Sequence, residues 1–136
     1  MTTTTASTIT LSTTSPVWKT GVKAAAIAAV ATTAYAAVTH AAGVSYEIKG
    51  EAIPLLAFAQ LTFVLSMVGV GIAKLCRRFA TDVSRAFLTT TVGLTAVSML
   101  PDALADASTG TRLALMGSHL IAAAIVIPTL ASRLSD

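Results

Sequence analysis

Charge is scarce in this chain: 11% of its 136 residues are Asp, Glu, Lys or Arg, against about 25% in an ordinary soluble domain. A water-soluble globule is therefore not expected. Cysteine occurs once, at Cys76, which excludes an internal disulfide framework and a Cys-x-x-Cys redox pair. What is abundant is apolar surface. Hydrophobic residues make up 54% of the chain and its mean hydropathy is +0.79, values that exclude a chain disordered throughout. At this length one domain is expected. The formal net charge of +3 is carried by Lys and Arg residues at the ends of apolar runs. That is the placement of membrane-flanking charge and implies no nucleic-acid partner.

Residues 1–15 form a Thr/Ser-rich tract without charge and read as a disordered tail; residues 16–136 read as the folded domain. Pro16, Trp18, Lys19 and Lys23 mark a membrane interface. Four apolar runs follow, at about 24–44, 52–73, 86–100 and 113–130. A hydrocarbon core about 30 Å thick takes about 20 helical residues to cross. The third run reaches that length only by extending into Val83 and Asp102. The first run is too long, and too far from Met1, for a signal-peptide core. The connections 45–51, 74–85 and 101–112 are short, so successive spans should lie antiparallel in an up-down bundle. The fold class expected is all-α: an integral membrane bundle of four transmembrane helices, with the lipid bilayer as its partner. Small-residue pairs such as Ala25/Ala29 and Gly69/Ala73 permit close helix approach and leave a homo-oligomer open.

Seven of the nine basic residues (Lys19, Lys23, Lys74, Arg77, Arg78, Arg85 and Arg133) fall on one side of this topology, and Lys49 and Arg112 on the other. The excess places both termini in the cytoplasm of a multi-pass cell-membrane protein. Four carboxylates then gather on the outer side: Glu47, Glu51, Asp102 and Asp106. His40 and His119 lie near the same end.

Thr91, Thr95, Ser98 and Asp102 recur at helical spacing and form a polar stripe ending at a carboxylate. The stripe is either one wall of a cavity or a set of hydroxyls bonded to carbonyls of their own helix. Asp102 and Asp106 would be neighbours if a helical turn continued past Pro101, and one could then hold a proton as a general acid. The alternative is two solvated loop acids, one paired with Arg112. Glu51 suits the first turn of a helix begun near Pro54, or the rim of a cavity. His119 falls inside a span, where ionisable groups are costly and face the bundle interior; it serves either catalysis or an interhelical hydrogen bond. Gln60 has the same two readings. Tyr35, Phe58 and Phe63 read as packing residues.

The lone cysteine argues against a vitamin K epoxide reductase-like enzyme, and an acid-free first helix argues against a small multidrug transporter. Haem or metal ligation by His40 and His119 lacks a defining spacing, so no cofactor or metal is expected. The run TAVSMLPDALADASTGTRLALMGSHLIAAAIVIPTLASRL, residues 95–134, resembles small actinobacterial four-helix membrane proteins. Some of these are similar to the membrane terpene cyclases of drimentine-type and indole-sesquiterpenoid pathways. The resemblance implies an isomerase- or lyase-type enzyme of secondary metabolism whose substrate is a farnesyl chain attached to an indole or diketopiperazine. No residue role is carried over from it; the site residues follow from the chemistry of this chain. Proton-initiated cyclisation needs a positioned acid in a dry cavity, which singles out Asp102, with Asp106, Glu51 and His119 as partners. The absence of DDxxD argues against metal-assisted diphosphate ionisation, and DxDD is absent as well. The aromatic content of 5% is low for steadying cations. A non-enzymatic accessory subunit or small-solute permease is the alternative.

Overall fold

A computed structural model describes residues 15–135, so most of the expected tail lies outside the described residues. Four helices dominate: α1 (Val17–Ala41), α2 (Leu55–Phe79), α3 (Val83–Leu104) and α4 (Thr109–Leu134). Between α1 and α2 stand two short strands, β1 (Glu47–Ile48) and β2 (Glu51–Ala52). Each helix is long and apolar enough to cross a bilayer, and at 1.5 Å per residue even the shortest, α3, spans about 33 Å. The protein has the architecture of a multi-pass membrane bundle.

The helices outrun the apolar segments that announce them. α2 continues through Lys74, Arg77 and Arg78 to Phe79, because cations at a helix C-terminus interact favourably with its dipole. The expected 74–85 connection thus shrinks to residues 80–82. There Asp82 caps α3 by accepting the Arg85 backbone N–H at 3.0 Å. α3 carries on through Pro101 to Leu104. Ser108 then caps α4, its hydroxyl oxygen accepting the Thr111 N–H at 3.2 Å.

The 45–51 connection is a β-hairpin rather than an open loop. Glu47 pairs with Ala52 and Ile48 with Glu51. The two turn residues, Lys49 and Gly50, have φ of +54° and +82°, as the tight turn favoured by strand twist requires. Glu51 is therefore a strand residue, not the first turn of a helix. Pro54 fixes the extended chain just before α2, which begins only at Leu55. Beneath the hairpin Tyr46 is fully buried. Its ring meets Phe58 edge-on at 5.0 Å and its hydroxyl bonds Thr39. Burial pushes the phenol above its ordinary range, against the opposing pull of that hydrogen bond.

α1 is the central helix. Ala24, Ala25, Ala28, Ala29, Thr32 and Ala36 are buried, a face of small side chains that lets α2 and α4 approach its backbone. Thr32 crosses to Thr62 of α2 at 2.9 Å. A Cβ on Gly21 would collide with Val70, and one on Gly117 with the Tyr35 hydroxyl. α3 packs mainly on α4 and meets α2 sparsely, with only Phe87 and Thr91 buried along its length. Although three residues join them, α2 and α3 part to leave a crevice.

Candidate functional site

The crevice is a cavity of about 490 Å³ between α2, α3 and α4, within the roughly 300–1,000 Å³ range of small-molecule sites. Ile48 and Ile53 line its hairpin end. Ile72, Phe87 and Ile127 are the wall residues farthest from that end on their helices. Most of the wall is aliphatic, and its α2 side includes Leu61, Leu65 and Val68, which are exposed in the isolated chain and would face lipid in a bilayer.

The polar stripe of α3 does form one wall: Thr91, Thr95, Ser98 and Asp102 all contribute to it. The three hydroxyls are nevertheless bonded within their own helix. Thr91 donates to the Phe87 carbonyl at 2.8 Å, Thr95 to Thr91 at 2.8 Å and Ser98 to Thr95 at 2.7 Å. Ser66 and Ser118 likewise donate to the carbonyls of Thr62 and Leu115. A hydroxyl proton spent on a carbonyl is not offered to a ligand.

What the cavity does offer is a carboxyl–imidazole pair. Nδ1 of His119 on α4 stands 2.8 Å from Oδ2 of Asp102 on α3. Oδ2 is buried and makes no hydrogen bond; the imidazole beside it bonds the Leu115 carbonyl through Nδ1 at 3.1 Å, so the pair is a close contact of groups able to carry opposite charge. Asp102 also lines the cavity, which leaves Oδ1 as the carboxyl oxygen that can reach its interior. Helix continuation through Pro101 is what creates this meeting. Four residues earlier the chain would have left the helix, and Asp102 would not have been held against α4.

The other two acids named from the sequence are not brought to the pair. α3 ends at Leu104, and Ala105 turns to an extended conformation, so Asp106 is not a helical neighbour of Asp102. It is exposed, and its backbone carbonyl accepts the Lys49 N–H at 3.0 Å, tying the hairpin to the α3–α4 connection. Glu51 is exposed on β2 and outside the cavity wall. Among the described residues no acid pairs with Arg112, whose Nε is buried without a partner. His40 is exposed and bonds the Val44 carbonyl at the end of α1. Gln60 is exposed outside this cavity. Phe58 packs on Tyr46 and also lines the cavity.

The chain belongs to the DUF6069 family. That family is one of unknown function, and its pattern covers residues 12–136. No curated protein and no solved structure matches the chain. In this DUF6069 protein the site elements that sequence reasoning passed over are Ile48, Ile53, Phe87 and Ser118. Only Ser118 left a signal, as the neighbour of an in-span histidine. The isoleucines reach the cavity through a hairpin whose turn, Lys49–Gly50, lacks the usual Asn-Gly or Asp-Gly signature.

Proposed function

We infer that this DUF6069 protein is a membrane-embedded terpene cyclase that closes a farnesyl chain attached to an indole or diketopiperazine by proton-initiated cyclisation. The observation that carries the reading is the Asp102–His119 pair in the wall of a cavity otherwise lined by apolar groups and by hydroxyls bonded to carbonyls or, for Thr62, to Thr32. An isoprenoid chain is lipid-soluble and gains by leaving water for such a wall. The parting of α2 from α3 gives it a sideways path from the bilayer.

Asp102 acts through Oδ1, delivering a proton to the terminal alkene, or to an epoxide in an oxidised substrate. The carboxylate left behind has the imidazole of His119 beside it, 2.8 Å from Oδ2. The substrate cation closes on the next double bond, and loss of a proton from an adjacent carbon regenerates an alkene. One proton enters and one leaves, so an alkene substrate is isomerised with no change in mass. Exclusion of water from the apolar cavity protects the cation from capture. The charge pattern that puts seven basic residues at one end supports a cell-membrane orientation with both termini cytoplasmic and the pair in the outer half of the bundle.

The test is Asp102→Asn, which keeps the shape of the acid and removes its proton. Membranes holding this variant are incubated with a farnesylated indole or diketopiperazine and with its epoxide. Turnover should fall by about 10²–10⁴-fold, the usual worth of a positioned general acid, while the protein accumulates as wild type does. Full activity of Asp102→Asn removes the residue from the mechanism. A wild-type protein inert on both substrates overturns the cyclase reading.

A further inference from the structure

Gln60 lies inside the apolar run of α2, about 8 Å along the helix from Leu55 at 1.5 Å per residue. It is exposed and borders a shallow groove on the outside of α1 and α2, together with Ala29, Ala59, Phe63 and Val64. The hydroxyls nearby are already engaged: Thr32 and Thr62 bond each other, and Ser66 donates to the Thr62 carbonyl. Among the described residues nothing bonds the Gln60 amide. Its side chain is shorter than the Lys and Arg stems that reach headgroups from within a span. Hydrocarbon offers no water in exchange, so an unpaired amide there is costly. Gly71 follows on the same face, eleven residues on, with Phe63 and Val64 between. It too is exposed, and a Cβ there would meet nothing within 4 Å. The packing of its own bundle therefore does not call for a glycine, which weakens a helix interior relative to alanine. A small residue on a lipid-facing surface lets a second helix come close.

We propose that this face of α2 is a homodimer interface, in which Gln60 pairs with its counterpart in a second copy of the chain. Two copies inserted in the same direction are related by a two-fold axis along the membrane normal. Such an interface is isologous, so the two Gln60 residues meet at equal depth. An amide carries both a donor and an acceptor, and each copy can donate its side-chain N–H to the carbonyl oxygen of the other. That self-complementarity favours a second copy over another membrane protein, which would have to bring a polar group to the same depth. Gly71 lets the two α2 backbones approach, and the groove beside Ala29 and Ala59 receives an apolar side chain from the other copy. Lys74 and Arg78 continue the face beyond Gly71 into the headgroup layer, where water and salt screen their repulsion. Around α2 the stripe lies roughly opposite Leu65, Gly69 and Ile72, which line the cavity. Pairing therefore leaves the α2–α3 crevice open in both copies, and the proposal does not rest on the cyclase reading.

The full chain, tagged after Asp136 with a donor or an acceptor fluorophore, is reconstituted in phosphatidylcholine–phosphatidylglycerol vesicles and diluted with lipid. Energy transfer should follow a monomer–dimer isotherm and rise linearly with the fraction of acceptor, as pairs require. Gln60→Leu should raise the dissociation constant on the order of tenfold, the worth of an interhelical hydrogen bond in model helices. Gly71→Leu should weaken pairing as well, because its side chain holds the helices apart. Neither change removes a contact within the bundle, so thermal melts of both variants at high dilution should match wild type. In a Cys76→Ser background, mild oxidation should join copies through Val64→Cys but not through Val97→Cys, which is exposed on α3. Adding Gln60→Leu should reduce the Val64→Cys product. Wild-type protein that is monomeric at every dilution overturns the proposal and leaves the face to lipid or to a different membrane protein. So do dissociation constants unchanged in Gln60→Leu and Gly71→Leu, or oxidation that joins copies through Val97→Cys in place of Val64→Cys. A Gln60→Leu chain that fails to fold would show that the amide serves its own bundle, and that also counts against it.

Discussion

At the scale of single residues, the strongest constraints are side chains that are missing. Gly117 lets α4 approach Tyr35 of α1 so closely that any Cβ there would meet the phenol oxygen. Gly117→Ala should therefore lower the thermal stability of the detergent-solubilised protein by about 1–3 kcal/mol, the usual cost of overpacking. Tyr35→Phe in the same background should recover much of that loss. A double-mutant cycle over the two sites reads the coupling directly, and additive losses would show that the two residues do not compete for space. The same scale decides the cavity's chemistry. Within the chain's third apolar run, Thr91 already shows why its stripe reads two ways: its spacing makes a wall, but its hydroxyl bonds the Phe87 carbonyl. Only Asp102 finds its partner on another helix.

At the scale of elements, composition located the four helices but not their ends. Apolar runs stop where charge begins, whereas helices stop where backbone groups find other partners. α2 passes through three basic residues, and α3 begins at Val83 because the Asp82 side chain takes up the Arg85 N–H. Asp82→Ala should cost about 1 kcal/mol of stability, as loss of an N-cap does, and Asp82→Asn should retain most of it; thermal melts of the purified variants test this. Equal melting of Asp82→Ala and wild type would mean that lipid-facing packing, not the cap, holds the start of α3. The hairpin lay below the resolution of sequence patterning, since two-residue strands carry no alternation to detect.

For the whole molecule, the asymmetry of charge makes a prediction about direction. Reporter fusions after Asp136 and within residues 80–82 should both signal cytoplasm. A periplasmic signal from either would reverse the bundle and move the Asp102–His119 pair to the inner half. The packing of the bundle also sets where the cavity lies. α1 binds α2 and α4 through its alanine face, and α3 leans on α4, so the gap falls between two helices that are consecutive in the chain. Sequence order suggested only that they are neighbours.

Hydrophobicity is a property of each residue, and its runs are enough to mark four candidate bilayer-crossing helices, the third only when extended past its apolar residues. The helical repeat is likewise local, so the alignment of Thr91, Thr95, Ser98 and Asp102 along one side of α3 could be read from the spacing, while their place in a cavity wall could not. The partners of polar groups are not local. Whether Asp102 met Asp106, Arg112 or His119 depended on α3 remaining helical through Pro101 and then breaking at Ala105, and on α4 returning at the height that sets His119 opposite. The apolar pattern weighs only transfer from water, and it carries no record of which buried donor an acceptor will find. That choice was made by the tertiary structure, because only the packed bundle brings the carboxyl of Asp102 to the imidazole of His119.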